Sequence, residues 1–159
     1  MNKCFFVSDL HGKMSRCETL VRKIQLDKPD FVFIGGDLLP HKNILGRVGF
    51  ERIADFGRDF LLKKFRKLKK QMDCNYPEVY LIPGNDDPKD QLAALDAGEE
   101  EGLWTNLNLR CRVKGKYRFC GYAYVPPTPF LLKDWEKYDV SRFVDPGCVS
   151  PLEGIRTYC

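Results

Sequence analysis

The sequence runs to 159 residues, 43% hydrophobic and 30% charged, enough apolar material for the core of one compact domain and too much for wholesale disorder. Its net charge of +4, from 26 basic and 22 acidic residues, is too small an excess to argue for nucleic acid as a partner. No apolar run approaches the roughly 18 residues of a membrane-spanning helix, and the apolar N-terminal stretch is too short for a signal peptide. A cytoplasmic location and no membrane partner are the expectations. Seven cysteines are present, none in a C-x-x-C pair. In a reducing compartment they are expected as free thiols, with Cys4 and Cys120 acting as small hydrophobes in strand-like runs.

In chain order, Lys3 to Ser8 reads as a short buried strand. Ser15-Arg16-Cys17-Glu18 then fits a capping box, opening a helix with Cys17, Leu20, Val21 and Ile24 on one face and closed by Pro29. Phe31 to Ile34 is a second apolar strand, ending at Gly35-Gly36-Asp37. After a loop, a long helix is expected from about Phe50 to Met72, with Ile53, Phe56, Phe60, Phe65, Leu68 and Met72 as its apolar stripe. Its basic run, Lys63 to Lys70, reads as a solvated face. Val79 to Ile82 is the third strand and ends at Pro83-Gly84-Asn85-Asp86-Asp87. Beyond about Gly102 the alternation stops. Leu107 to Val113 and Tyr117 to Ala123 flank Lys114-Gly115-Lys116 as a hairpin, whose aromatic residues, up to Tyr124, read as core rather than as a base-stacking platform. The remaining tail is irregular.

Strand, helix, strand, helix, strand is the signature of a parallel sheet covered by helices, and ligands of such sheets bind beyond the carboxyl ends of the strands. All three strands end in a carboxylate-bearing loop. Asp9 and His11 stand two positions apart just past the first strand, so in an extended chain both would face one ion. Asp37 follows a glycine pair that permits close backbone approach, and its two oxygens suit it to bridge two cations. Asn85 offers an amide oxygen. Each loop alone reads as an ordinary turn. Three in order, each at the end of a predicted parallel strand, point to mixed oxygen and nitrogen ligation of Mn, Fe or Zn. No P-loop pattern occurs anywhere.

The series Asp9-Leu10-His11-Gly12, Gly35-Gly36-Asp37 and Gly84-Asn85-Asp86-Asp87 resembles the opening motifs of the calcineurin-like metallophosphoesterase family over residues 1 to about 90. Gly121 to Phe130 is similar to a prokaryotic-type branch of that family. The resemblance implies an α/β fold, a metallo-dependent phosphatase-like α-β-β-α sandwich, here with its C-terminal portion missing. It implies that residues 1–159 form a single, truncated domain, and that Asp9, His11 and Asp37 hold one metal while Asp37 and Asn85 hold a second. It also implies hydrolysis of a phosphoester, as a phosphatase or phosphodiesterase, by a hydroxide bridging two divalent ions about 3.5–4 Å apart.

Two departures from the pattern matter. Asp86 stands where the family has His, and would serve as a leaving-group acid only with a raised pKa. The family's later histidines have no counterpart, because His11 and His41 are the two histidines of the chain. Turnover by these 159 residues alone is therefore expected to be slight. A non-catalytic metal- or phosphate-binding remnant is the alternative, followed by a basic interaction protein that merely keeps the fold. In the loop after Asp37, His41 is a candidate substrate contact, with Asn85, at the mouth of the site.

Overall fold

A computed structural model describes residues 2–40 and 55–157. Four parallel strands form the main sheet in the order β1 (Cys4–Val7), β2 (Phe31–Gly35), β3 (Glu78–Ile82) and β4 (Thr105–Asn106). The alternation of a strand divides each of them cleanly between two faces. Val32, Ile34, Val79 and Leu81 point into the main core, where Phe5 and Val7 also pack, while Phe31, Phe33, Tyr80 and Ile82 point to the other side.

Helices cover the first face. α1 (Met14–Asp27) buries Cys17, Leu20 and Ile24, and α2 (Lys63–Met72) buries Phe65, Leu68 and Met72. α3 (Ala93–Glu100) joins them, and the sequence reading missed it along with the two-residue β4. Pro29 does follow the end of α1, but the chain turns at Lys28, which adopts a left-handed conformation and donates its N–H to the Ile24 carbonyl. The expected capping box at Ser15 does not form: α1 starts two residues earlier, with Lys13 as its N-cap, and no side chain caps it.

The long second helix is also corrected. Asp55 is extended, and its carboxylate caps the N–H of Arg58, so the described helix starts at Phe56. Its first seven residues, Phe56–Leu62, are a π-helical turn that passes directly into α2. The wider turn suits the five-residue step from Phe60 to Phe65, which strains a strict α-helical stripe. Ile53 lies outside the described residues. The basic run behaves as read: Phe65 and Leu68 are buried, Lys64 pairs with Glu18, and Arg66 makes a two-bonded pair with Glu101.

The second face is covered by the hairpin of β5 (Cys111–Lys114) and β6 (Tyr117–Cys120). Phe119 sits 5.1–5.3 Å from the rings of Phe31, Phe33 and Tyr80 and closes an aromatic cluster over the sheet. The result is three layers: helices, parallel sheet, hairpin. Within the hairpin, Cys111 and Cys120 lie directly opposite and form a disulfide. This overturns the expectation of free thiols for that pair and the picture of Cys120 as a buried hydrophobe. Cys4 is exposed as well, because it occupies the outward-facing register of the edge strand β1. Among the described residues, no helix is long and apolar enough to cross a membrane.

The tail is irregular in backbone but ordered by buried polar groups. Lys133, Asp134, Trp135 and Glu136 are all buried. Lys133 and Glu136 form an ion pair of 2.5 Å with both side chains fully excluded from solvent. Glu136 also accepts the Thr128 N–H at 2.8 Å, and the Lys133 ammonium donates to the Thr128 carbonyl at 2.8 Å. Asp134 has no ion pair but accepts the N–H groups of Lys89 and Thr157, so each of the three buried charges is met by an opposite charge or by hydrogen bonds, the condition under which burial is tolerable.

Candidate metal centre

The loops after β1, β2 and β3 meet at the carboxyl end of the sheet. Backbone bonds stitch the first two together: Asp9 N–H to the Gly36 carbonyl at 3.2 Å, His11 N–H to that of Asp37 at 2.7 Å, and Gly12 N–H to that of Leu38 at 2.9 Å. The third loop approaches so closely that a Cβ on Gly84 would lie 2.0 Å from Asp37 Oδ1. One on Gly36 would lie 2.7 Å from the Gly84 Cα, and its φ of +103° also belongs to glycine.

Asp9, His11 and Asp37 all have positive φ, at 58°, 47° and 51°. Left-handed backbone is uncommon outside glycine, and its concentration at one place is characteristic of functional sites. It also replaces the expected reason for pairing Asp9 with His11. The two do not project together as alternate residues of an extended strand; they converge because the chain turns back on itself at both.

The three side chains present ligand atoms that all lie within 4.8 Å of one another. Each has one polar atom tied by a neighbour and another left facing the group. Asp9 Oδ2 accepts from the Ser8 hydroxyl, and Oδ1 stands 3.8 Å from His11 Nε2. Asp37 Oδ1 accepts the Asp86 N–H at 3.0 Å, and Oδ2 stands 3.9 Å from the same nitrogen. His11 Nδ1 lies 3.4 Å from Asp86 Oδ2, which leaves Nε2 for the cluster. An outer carboxylate holding the far nitrogen of an imidazole is a familiar support for a metal-ligating histidine. Two carboxylates and one imidazole, with no thiolate, fit a hard or borderline divalent cation.

Of the other residues singled out from the sequence, Asn85 is half-buried on the third loop, between Gly84, whose backbone packs on Asp37, and Asp86, whose N–H bonds Asp37. Asp86 contacts both His11 and Asp37. His41 lies outside the described residues.

Asp87, the last residue of the third motif, has a role that no sequence pattern marks. It is fully buried, and its carboxylate accepts N–H bonds from Leu38 at 3.1 Å, Leu39 at 2.7 Å and Gly84 at 2.8 Å, binding the second loop to the third. Burial pushes its carboxyl up to about 6, against the pull of those three amides. The tail grips the same segment. Trp135 Nε1 donates to the Asp87 carbonyl at 2.7 Å, and Asp134 accepts the Lys89 N–H at 2.8 Å. No periodic signal marks these tail residues, since their partners are backbone groups far away in sequence. The hollow of about 560 Å³ near Lys28, Asn75 and Lys116 lies at the opposite, amino end of the sheet and takes no part in this cluster.

A family model described as calcineurin-like phosphoesterase matches residues 3–147. Among solved structures, the crystal structure of TT1561 from Thermus thermophilus resembles this chain with a TM-score of 0.54 at 16% identity, over 79% of this chain and 52% of that one. A second reaches a TM-score of 0.47 at 15% identity, over 76% and 52%. The chain thus spans about half the length of the solved structures it matches. No curated protein matches.

Proposed function

Because this chain belongs to the calcineurin-like phosphoesterase family, we propose that Asp9, His11 and Asp37, joined by Asn85, hold divalent cations for the hydrolysis of a phosphoester. The family carries the general activity, metal-dependent phosphoester hydrolysis. Our reading of this chain rests on one observation: all three clustered donors have a second polar atom held by a neighbour, so that Asp9 Oδ1, Asp37 Oδ2 and His11 Nε2 face one another.

In this reading residues 1–159 are part of one phosphoesterase domain, and the centre takes two ions of the Mn, Fe or Zn type. When bound, such ions supply Lewis-acid charge on phosphoryl oxygens and lower the pKa of a coordinated water. The chain's own residues do the positioning. Asp86 fixes the His11 tautomer, with Nδ1 toward its carboxylate, and through its amide directs Asp37. That role needs no proton transfer to a leaving group. Asp87 keeps the second and third loops in register, so that Asp37 and Asn85 approach one centre.

The alternative, a remnant that binds metal or phosphate without turnover, is favoured by the openness of the cluster: the Asp9 side chain is 63% exposed, against 17% for Asp37. Calorimetric titration with Mn tests the shared part of both readings. Binding is expected, and Asp37→Ala should abolish it; a variant that binds Mn as the parent does would reject the centre. An aryl phosphodiester assay with Mn separates the two. Slight turnover is expected from this chain alone, and brisk Mn-dependent hydrolysis would reject the remnant reading.

A further inference from the structure

We infer that the cleft beside the third metal loop, built from Tyr122, Tyr124 and Lys137 with Lys89 behind, binds the ring of a nucleotide, making the phosphoester substrate a nucleotide. This rests on the phosphoesterase reading and narrows it to a substrate class.

Position comes first. β6 ends at Cys120, and Gly121 packs against Ile82, the last residue of β3, and Leu107. The chain therefore leaves the hairpin at the same end of the sheet where the metal loops gather. Tyr124 lies 5.4 Å, edge to face, from Trp135, which bonds directly to the Asp87 carbonyl. Two side chains link the cleft to the loop that carries Asn85 and Asp86.

The chemistry follows. The aromatic pattern of the hairpin predicts core, and Phe119 does pack on the sheet; Tyr122 does not, with 62% of its surface exposed and its ring 5.7 Å from Tyr124. The Lys137 ammonium stands 3.6 Å from the Tyr124 ring centroid, and that of Lys89 lies 4.6 Å from Trp135 and 5.4 Å from Tyr124. Lys89 is further fixed by its backbone bond to buried Asp134. Ring faces hold two cations here, and one carboxylate, Asp139, lines the rim. The exposed ring of Tyr122 is the face open to stack on a heterocycle, which aromatic side chains do without regard to base identity, and the cations beside Tyr124 attract phosphate. At about 160 Å³ the cleft falls below the ~300 Å³ at which whole-ligand pockets begin. It takes one ring, leaving the phosphate of the same molecule outside it.

The test measures binding without turnover. Adenosine 5′-monophosphate, ribose 5-phosphate and inorganic phosphate are titrated in EDTA, with tryptophan fluorescence and calorimetry as readouts. The nucleotide should bind at least tenfold more tightly than ribose 5-phosphate. Tyr122→Ala, an exposed position where the fold is checked by circular dichroism, should erase that preference. Lys137→Gln should weaken both phosphates. Equal affinities for the nucleotide and ribose 5-phosphate, no nucleotide binding at millimolar concentration, or a preference that survives Tyr122→Ala would each overturn the inference. Mn titration of the same Tyr122→Ala protein reports on the metal centre separately. Loss of nucleotide preference with Mn binding intact is the expected result, and absence of Mn binding in the parent defeats the metal reading while leaving the nucleotide result to stand by itself.

Discussion

Residues 3 to 40 and residues 124 to 157 occupy similar lengths of chain and are held in place by opposite means. The first region is set by apolar periodicity. Its strands alternate between two packed faces, and α1 lays Cys17, Leu20 and Ile24 on the sheet. The second has almost no regular structure, yet Lys133, Asp134, Trp135 and Glu136 are buried in succession, each tied to a named backbone or side-chain partner. A core formed by area tolerates small errors, because hydrophobic burial has no direction. A core of buried charges is unforgiving, because one missing partner strands another in a medium that cannot solvate it. The two regimes meet at Asp87, which ties the second metal loop to the third and is itself gripped by the tail.

Several substitutions would break or sharpen that contrast. The largest loss is expected in the tail. Glu136→Ala removes the partner of the fully buried Lys133 ammonium and should cost about 3–5 kcal/mol in urea unfolding. A cost under about 1 kcal/mol would show that the tail does not depend on the pair. Next comes the junction. Asp87→Ala strands the N–H groups of Leu38, Leu39 and Gly84, and should cost about 3 kcal/mol. Mn affinity should fall with it, whereas Glu136→Ala should spare metal binding in protein that remains folded.

A small trim in the first region should be mild by comparison. Ile24→Val removes one methylene from a completely buried position and should cost about 1 kcal/mol by the same measurement. A loss as large as that of Glu136→Ala would erase the distinction between the regions. The smallest effect is chemical and leaves stability untouched. Burial pushes the Cys17 thiol up to about 12, while Cys4 and Cys74 are exposed. Iodoacetamide at pH 8.5 should label Cys4 and Cys74 well before Cys17, as read by peptide mass spectrometry. Early labelling of Cys17 would mean that α1 opens readily from the sheet.

Much of the first region was legible in its residues. The strands at β1, β2 and β3 appear within a residue or so of where apolar runs predict them, and their polar ends are where Asp9, His11, Asp37 and Asn85 stand. The π-helical turn left a faint trace in the five-residue step from Phe60 to Phe65. What escaped was held by distant partners: α3, β4, the pairing of Cys111 with Cys120, and the tail's grip on Asp87 and Lys89. Tyr122 escaped for a related reason. Phe119 has the same aromatic character, and the end of β6 separates its partly buried ring, packed on the sheet, from the exposed ring of Tyr122.

The sequence by itself determined the parallel order of the first three strands and which carboxylates, imidazole and amide stand at their ends. Periods of two and of about 3.6 residues are local properties that survive without knowledge of neighbours. Tertiary structure alone decided that Asp9, His11 and Asp37 turn toward one another on left-handed backbone, and that one polar atom of each is taken by Ser8 or Asp86. It also decided that the buried charges of the tail have partners. Those outcomes depend on contacts among segments far apart in the chain, where the free energy of an ionisable group is set by whatever the fold places beside it.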